Sequence, residues 1–291
     1  MTAIHSRFRI TNGRRFRLKQ IDPGDTAGLG AKDNAAERLA RGLDALRDQQ
    51  EKLSAQGTWA LLIIFQAMDA AGKDSTIKHV MSGVNPQSCQ VTSFKAPSTE
   101  ELAHDFLWRT TLRLPGRGSI GVFNRSHYEE VLVVRVHPDL LAKQRLPAAV
   151  LSKQIWRERF EDINAFERHL QRSGVVVLKF FLHVSREKQR ERFLARLDTP
   201  SKNWKFAMGD VRERQHWRRY MSAYEDMVRH TATADAPWYV VPANHKWFTR
   251  LIVAEAIADA MKGLDLRFPT IDREQRKELS AARTALARKG R

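Results

Sequence analysis

A chain of 291 residues with 42% hydrophobic side chains can bury the core of one large α/β domain or two small ones. Its 50 Lys and Arg against 33 Asp and Glu leave a formal charge of +17, which draws polyanions. Nucleic acid, an anionic membrane and an inorganic polymer such as polyphosphate all qualify, but the single cysteine excludes an internal disulfide, and no apolar run reaches the ~20 residues of a membrane-spanning helix.

Residues 1–19 carry Arg and Lys but no continuous apolar segment, so they do not form a secretory signal and a cytoplasmic location is expected. Residues 1–33 read as a basic N-terminal arm without a core of its own. From Asn34 the pattern changes: Leu39, Leu43, Leu46 and Leu53 fall near one helical face, and Gly57 ends the helix. The run WALLIIF, residues 59–65, is apolar throughout, as in a parallel strand buried on both faces.

Next come a helix at 73–81, a strand at 90–94 that opens beside Cys89 (read as a small core thiol), a helix at 99–111 and a strand at 119–123. A long charged helix at 151–172 precedes the apolar strand 175–184. Helices at 185–196 and 211–230 flank the polar stretch 198–210. The last strand, 238–241, and the last core helix, 246–261, leave a basic tail at 264–291 that reads as a surface helix. Strand–helix alternation of this kind predicts one α/β domain over 34–263, with a parallel five-stranded sheet flanked by helices.

The first chemical constellation is Ala67-Met68-Asp69-Ala70-Ala71-Gly72-Lys73-Asp74. A strand, a loop of small residues and an immediate helix are what a phosphate-binding loop requires, because the helix N-terminus offers unpaired N–H groups that small residues leave accessible. Ala67 stands where such loops usually have their first Gly, which is tolerable if its φ is negative. Asp74 stands where the metal-touching hydroxyl usually lies, leaving Ser75 or Asp69 for that task. The plainer alternative is a tight strand-to-helix turn with a solvated lysine.

The second constellation, Asn124-Arg125-Ser126 with Glu129, follows a strand expected beside the first, so its end faces the loop. Arg125 suits charge spread over transferring oxygens, Asn124 a metal-held water, and Glu129 adds a carboxylate one helical turn on. A simple helix cap by Asn124 or Ser126 is the competing reading. The third is a basic helix–loop–helix at about 192–219. It holds Arg192, Arg196, Lys202, Lys205, Arg212, Arg214, Arg218 and Arg219 beside Trp204 and Trp217, placed where nucleotide kinases carry a mobile lid.

Four ordered blocks carry a resemblance: FQAMDAAGKDSTIKHVMSGVNP (65–86), SIGVFNRSHYEEVLVVRVHP (119–138), RFLARLDTPSKNWKFAMGD (192–210) and APWYVVPANHKWFTR (236–250). Together they resemble the polyphosphate kinase 2 family over about 34–261. The resemblance implies a thymidylate-kinase-like P-loop kinase fold with a helical lid. It also implies transfer of the terminal phosphoryl group of inorganic polyphosphate to a nucleotide with Mg²⁺ or Mn²⁺. Carried over, Asp69 holds metal and Lys73 and Arg125 neutralise the transferring group. Ala70, Ala71, Gly72, Asp74 and Ser75 form the phosphate loop, and Lys78, Arg196, Lys202, Lys205 and Arg212 grip the chain. Asn124 stands where many members have Asp, which resembles the subgroup accepting nucleoside mono- and diphosphates. That implies AMP and/or ADP as acceptors, with GMP and GDP as further possibilities, and a homodimer or homotetramer.

Two other functions stay open on the residues alone. One is an ATP-dependent nucleotide kinase on the same fold. The other is a basic nucleic-acid-binding protein with a vestigial loop, against which stands the lack of helix-turn-helix, zinc or aromatic RNA-reading motifs. No membrane and no specific nucleic acid is expected as a partner.

Overall fold

The computed structural model describes residues 3–30 and 35–287, apart from the side chain of Lys205. The expected domain start at Asn34 and the last four residues of the tail fall outside the described residues. The sheet consists of β1 (Arg9–Ile10), β2 (Ala60–Gln66), β3 (Cys89–Ser93), β4 (Ile120–Asn124), β5 (Val175–His183) and β6 (Trp238–Pro242). Their order is β1-β6-β5-β2-β4-β3, parallel throughout except that β1 runs antiparallel to β6.

Among the described residues the sheet therefore has six strands, not the expected five. The extra one, β1, pairs Arg9 with Tyr239 and Ile10 with Trp238. Two residues are too few to show a period of two in sequence, so no pattern announces them. The arm around β1 is nonetheless anchored. Phe8, Phe16 and Leu18 are buried in the same core as the sheet, and Phe8 packs edge-on against Phe248.

Every residue of β2 is buried, as its unbroken apolar run requires when helices cover both faces. Gly57 takes φ +64° directly after the helix Ala35–Gln56 and donates its N–H to Leu53 O, which ends that helix. The expected helix at 99–111 is two short ones, Thr99–Ala103 and Trp108–Thr111. The break follows from Asp105, whose Oδ1 accepts the Leu107 N–H at 2.9 Å and holds a turn that competes with the helix. The expected helix at 211–230 is likewise divided, into Met208–Glu213, a 3₁₀ turn and Trp217–Thr231. Cys89 is half-buried at the start of β3, not enclosed in the core. The tail helix Arg273–Ala287 is exposed along its length.

One polar cluster sits deep in this core. Lys179, in the middle of β5, donates to Glu167 Oε2 at 2.6 Å, to the Thr231 carbonyl at 2.7 Å and to Tyr128 Oη at 3.0 Å. Tyr128 Oη in turn donates to Glu167 Oε1 at 2.7 Å. Burial pushes the Lys179 pKa down, whereas the lysine and His127 hold the Glu167 carboxyl below its usual range against the opposing effect of burial. A buried ion pair with every donor used ties the helix Ile155–Arg172 to β5 and to the turn after β4.

Candidate active site

Strands β2 and β4 lie side by side in register, Phe65 against Asn124, so the segments that follow them leave from one edge of the sheet. The Arg125 N–H donates to Phe65 O at 3.0 Å and stitches the two ends together. Open α/β sheets bind ligands at this carboxyl edge.

Ala67 is not among the positive-φ residues, which meets the condition its Gly-to-Ala exchange imposes. The left-handed positions are instead Ala70 at φ +60°, Gly72 at +109° and Arg125 at +65°. For Ala70 and Arg125 this costs on the order of 1–3 kcal/mol each, so contacts elsewhere must hold them. Those contacts are visible. Lys73 Nζ donates to Ala67 O at 2.9 Å, Gln189 Nε2 to Asp69 O at 3.0 Å, and Arg192 Nη1 to Ala70 O and Ala71 O at 2.9 and 2.8 Å. Arg192 Nη2 reaches further, to Ala243 O and Asn244 O at 2.7 and 3.1 Å. The loop's carbonyls are thus turned toward two cations and an amide. The first N–H groups of the helix Lys73–Val80 have no partner within the helix and face the opposite requirement, an anion.

The side chains from the two motifs meet. Arg125 Nη2 lies 2.9 Å from Asp69 Oδ1, and its Nη1 lies 3.5 Å from Glu129 Oε2. Asn124 Nδ2 donates to Asp74 Oδ1 at 2.8 Å, and Ser75 Oγ donates to Gly72 O at 3.0 Å. Glu129 sits in a 3₁₀ turn, His127–Val131, capped by Ser126 Oγ, which accepts the Tyr128 N–H. Ser126 thus makes the cap of the competing reading, while Arg125 lines the cleft. With its amide turned to suit its neighbours, Gln66 at the end of β2 donates to Glu129 Oε1 at 2.8 Å and accepts from Ser126.

Electrostatics bind this set together. Burial pushes the Lys73 pKa down and Arg125 adds to that, while Asp69, Glu129 and Asp74 oppose it. Burial raises the Glu129 carboxyl pKa, opposed by Arg125 and Lys73. Glu129 and Asp69 hold the Arg125 guanidinium charged against the effect of burial.

A cleft of about 780 Å³ opens over the loop, within the range of small-molecule sites. Asp69, Ala70, Gly72, Lys73, Asp74, Ser75, Asn124 and Arg125 line it together with Arg196 and Lys202. Ala71 is buried beneath it, and Glu129 stands behind Arg125. Lys78 and Arg212 are exposed and do not line the cleft. The Lys205 side chain falls outside the described residues.

Further lining residues carry no distinguishing signal in the sequence. Asp210 brings a carboxylate from the helix Met208–Glu213 and lies 3.7 Å from Arg196. Burial and the nearby Asp69 raise its pKa. Lys95 and Lys246 complete the cationic wall. Arg192, which reads in the sequence as one member of a charged run, is the clamp on the loop. Only its spacing on the helix Arg186–Leu197, one turn after Gln189, could have pointed inward.

An α/β sheet whose carboxyl edge holds a cation-walled cleft, two basic groups and several carboxylates defines a protein that handles phosphorylated ligands. A family model described as polyphosphate kinase 2 matches residues 30–269. A protein of Rhodopseudomonas palustris named ADP-polyphosphate phosphotransferase is 49% identical over 96% of this chain and 97% of its own. One of Meiothermus ruber named AMP/ADP-polyphosphate phosphotransferase is 45% identical over 90% and 95%. The crystal structure of polyphosphate kinase 2 from Arthrobacter aurescens superposes with a TM-score of 0.84 at 41% identity, covering 94% of this chain and 95% of that one. The chain belongs to the polyphosphate kinase 2 family.

Proposed function

We propose that the protein transfers the terminal phosphoryl group of inorganic polyphosphate to AMP and/or ADP, forming ADP and ATP, on a P-loop kinase fold. The observation that carries this reading is the convergence of Lys73, Arg125 and Asp69 from two separate strand ends into one cleft walled by Lys95, Arg196, Lys202 and Lys246. A donor chain with a negative charge on each phosphate matches such a wall. The names of the relatives support the same pair of substrates. GMP and GDP are further acceptors to be tested.

Phosphoryl transfer through a loose transition state asks for in-line positioning and charge neutralisation more than covalent chemistry. Lys73 and the helix N-terminus hold the transferring group's oxygens, and Arg125 faces the charge that spreads over them. Asp69 and Glu129 aim Arg125. Arg196 and Lys202 descend from the lid segment, 192–219, to hold the phosphates behind the bond that breaks.

The donor set fits a hard divalent cation, Mg²⁺ or Mn²⁺. Among the described residues no cluster of three or more His, Cys, Asp or Glu forms a closed cage. Mg²⁺ characteristically takes one or two carboxylates and completes its shell with waters and substrate phosphates. Asp69 lines the cleft with Oδ1 taken by Arg125 and its second oxygen available. Asp74, Asp210 and the Ser75 hydroxyl are further oxygens on the cleft wall. When bound, the cation supplies charge neutralisation at the phosphates.

Among the described residues no helix is long and apolar enough to cross a membrane. We place the protein in the cytoplasm as a homodimer or homotetramer, which light scattering reads directly. The deciding experiment is a donor–acceptor matrix. Polyphosphate or ATP is the donor, and AMP, ADP, GMP or GDP the acceptor, with Mg²⁺ and then with excess chelator. Nucleotide phosphorylation from polyphosphate that chelator abolishes is expected. Activity from ATP with none from polyphosphate would make it an ordinary nucleotide kinase.

A further inference from the structure

Ala70 is held at φ +60°, a conformation that a flip of the Asp69–Ala70 peptide would relieve. Such a flip exchanges the directions of the Asp69 carbonyl and the Ala70 N–H, and leaves the side chains on either side nearly in place. The hydrogen bond from Gln189 Nε2 to Asp69 O, 3.0 Å long, opposes it. In a planar trans peptide the N–H points away from the carbonyl, so the same bond fixes the Ala70 N–H on the side turned from Gln189. After a flip, an oxygen would stand where a loop that receives phosphate needs a donor.

Gln189 is 1% exposed, and both ends of its amide are used. Its Oε1 accepts from Arg214 Nη1 at 2.9 Å. Turned over, the amide would set its NH₂ against the guanidinium and its oxygen against the Asp69 carbonyl, so Arg214 selects the orientation that offers Asp69 O a donor. Arg192, one turn further along the helix Arg186–Leu197, also holds the loop, but it is anchored separately, on Ala243 O and Asn244 O. The anchor of Gln189 comes from the lid segment.

Arg214 is itself fixed in place. It opens the 3₁₀ turn between the helices Met208–Glu213 and Trp217–Thr231, and its Nη1 also donates to Arg186 O at 2.6 Å. On the preceding residue, Glu213 Oε2 accepts from Tyr220 Oη at 2.7 Å and lies 2.9 Å from His137 Nε2. Glu213 thus seats the foot of the lid on the segment after β4, while Arg214 reaches the helix after β5. Neither Arg214 nor Gln189 lines the cleft.

We infer that Arg214 is a positioning residue for the phosphoryl transfer. From outside the cleft it orients Gln189, and through Gln189 it keeps the Asp69–Ala70 peptide in the strained arrangement that the phosphate loop uses. The seat of the lid and the shape of the loop are therefore set together.

Two readouts test this in the full chain. One is kcat/KM for ADP phosphorylation from polyphosphate, which rests on the function proposed above. The other is amide exchange of residues 67–75 without substrate, which does not. Arg214→Ala is expected to lower kcat/KM at least about tenfold, the scale of one lost charged hydrogen bond, and to speed exchange in the loop. Gln189→Leu lowers kcat/KM by as much or more, and adding Arg214→Ala to it has no further effect, because one path carries both. In the Arg214→Ala chain, Ala70→Gly raises kcat/KM about fivefold, since glycine takes positive φ without the steric penalty. Effects of Arg214→Ala and Gln189→Leu that multiply overturn the inference, as does a failure of Ala70→Gly to restore activity. Arg214→Met, which keeps the stem and loses the donors, gives the same reading if Arg214→Ala lacks a cooperative melting transition. A parent without polyphosphate-dependent activity removes the proposed function, and loop exchange then decides alone: exchange unchanged by Arg214→Ala overturns the inference.

Discussion

Arg125 Nη2 and Asp69 Oδ1 stand 2.9 Å apart across the mouth of the cleft, joining the loop after β2 to the motif after β4. The pair is preorganised, because Glu129 grips the same guanidinium from behind and the Arg125 backbone is fixed at φ +65°. A charge held before substrate arrives needs no reorganisation when phosphoryl oxygens gain negative character. Asp69→Asn leaves Arg125 in place through Glu129 but removes the carboxylate assigned to the metal. Arg125→Lys keeps the charge and loses the planar fork. Each is expected to lower kcat for ATP formation by about 10²-fold or more, on the scale of one removed oxyanion-type contact. The melting temperature should change by only a few degrees. Activity within threefold of the parent for either variant would remove that residue from the chemistry.

Arg192 makes a different demand. Its guanidinium donates to four carbonyls, two from the loop and two after β6. A lysine at that position is a point charge on a flexible stem and cannot span both segments. Arg192→Lys should cost about 1.5–3 kcal/mol of stability, the scale of a lost charged hydrogen bond, measurable by urea unfolding. Because the loop carbonyls lose their partner, KM for polyphosphate should rise along with the fall in kcat. A variant with parental stability and kinetics would show that the loop holds its shape without the clamp.

How much of this was legible in the sequence depends on the length over which a signal repeats. The runs 59–65 and 175–184, the shorter apolar stretches 90–94, 119–123 and 238–241, and the spacing of Leu46 and Leu53 reveal five strands and the principal helices, because burial imposes a pattern on many residues at once. That the Asn124-Arg125 motif faces the loop follows from placing two motifs at neighbouring strand ends, whereas the ion pair of Asp69 with Arg125 appears only in the structure. Strand β1 is too short to show a period, and the break at Asp105 depends on one side chain bonding two residues on. Asp210 and Lys246 look like any other surface charges until the chain brings them over the loop. Lys179 reads as an interruption of an apolar strand, and only the arrival of Glu167, Tyr128 and Thr231 explains it.

His183 makes stability depend on pH in a direction that can be worked out. Burial holds its pKa at about 4, with Asp22 opposing, against 6.5 for the exposed group. Between those values the unfolded chain takes up a proton that the folded chain refuses. Unfolding is therefore favoured as pH falls, and the penalty is complete below about pH 4. A shift of this size corresponds to about 3 kcal/mol at its limit. Urea unfolding from pH 7 to pH 4 should show a steeper loss of stability in the parent than in His183→Gln, which cannot titrate. Equal slopes would mean that His183 is protonated in the folded chain as readily as in the unfolded one.

The N-terminal arm is the part of the fold whose attachment is most open to a single substitution. At Gly13 a Cβ atom would stand 2.5 Å from the Arg229 carbonyl oxygen and 2.6 Å from the Arg229 Cα, closer than real Cβ atoms come. Both are backbone atoms of the helix Trp217–Thr231, so no side chain can swing away to make room. Gly13→Ala must lift the arm from that helix. The lift pulls on Phe16 and Leu18 in the core and on the Leu18 N–H bond to Glu225. Overpacking of this kind typically costs about 1–3 kcal/mol. The expected signature is local: faster amide exchange and earlier proteolysis within residues 3–30, while the cleft keeps its activity with AMP or ADP. Loss of catalysis in step with arm release would instead show that β1 and its neighbours hold β6, and through Arg192 the loop, in the working arrangement.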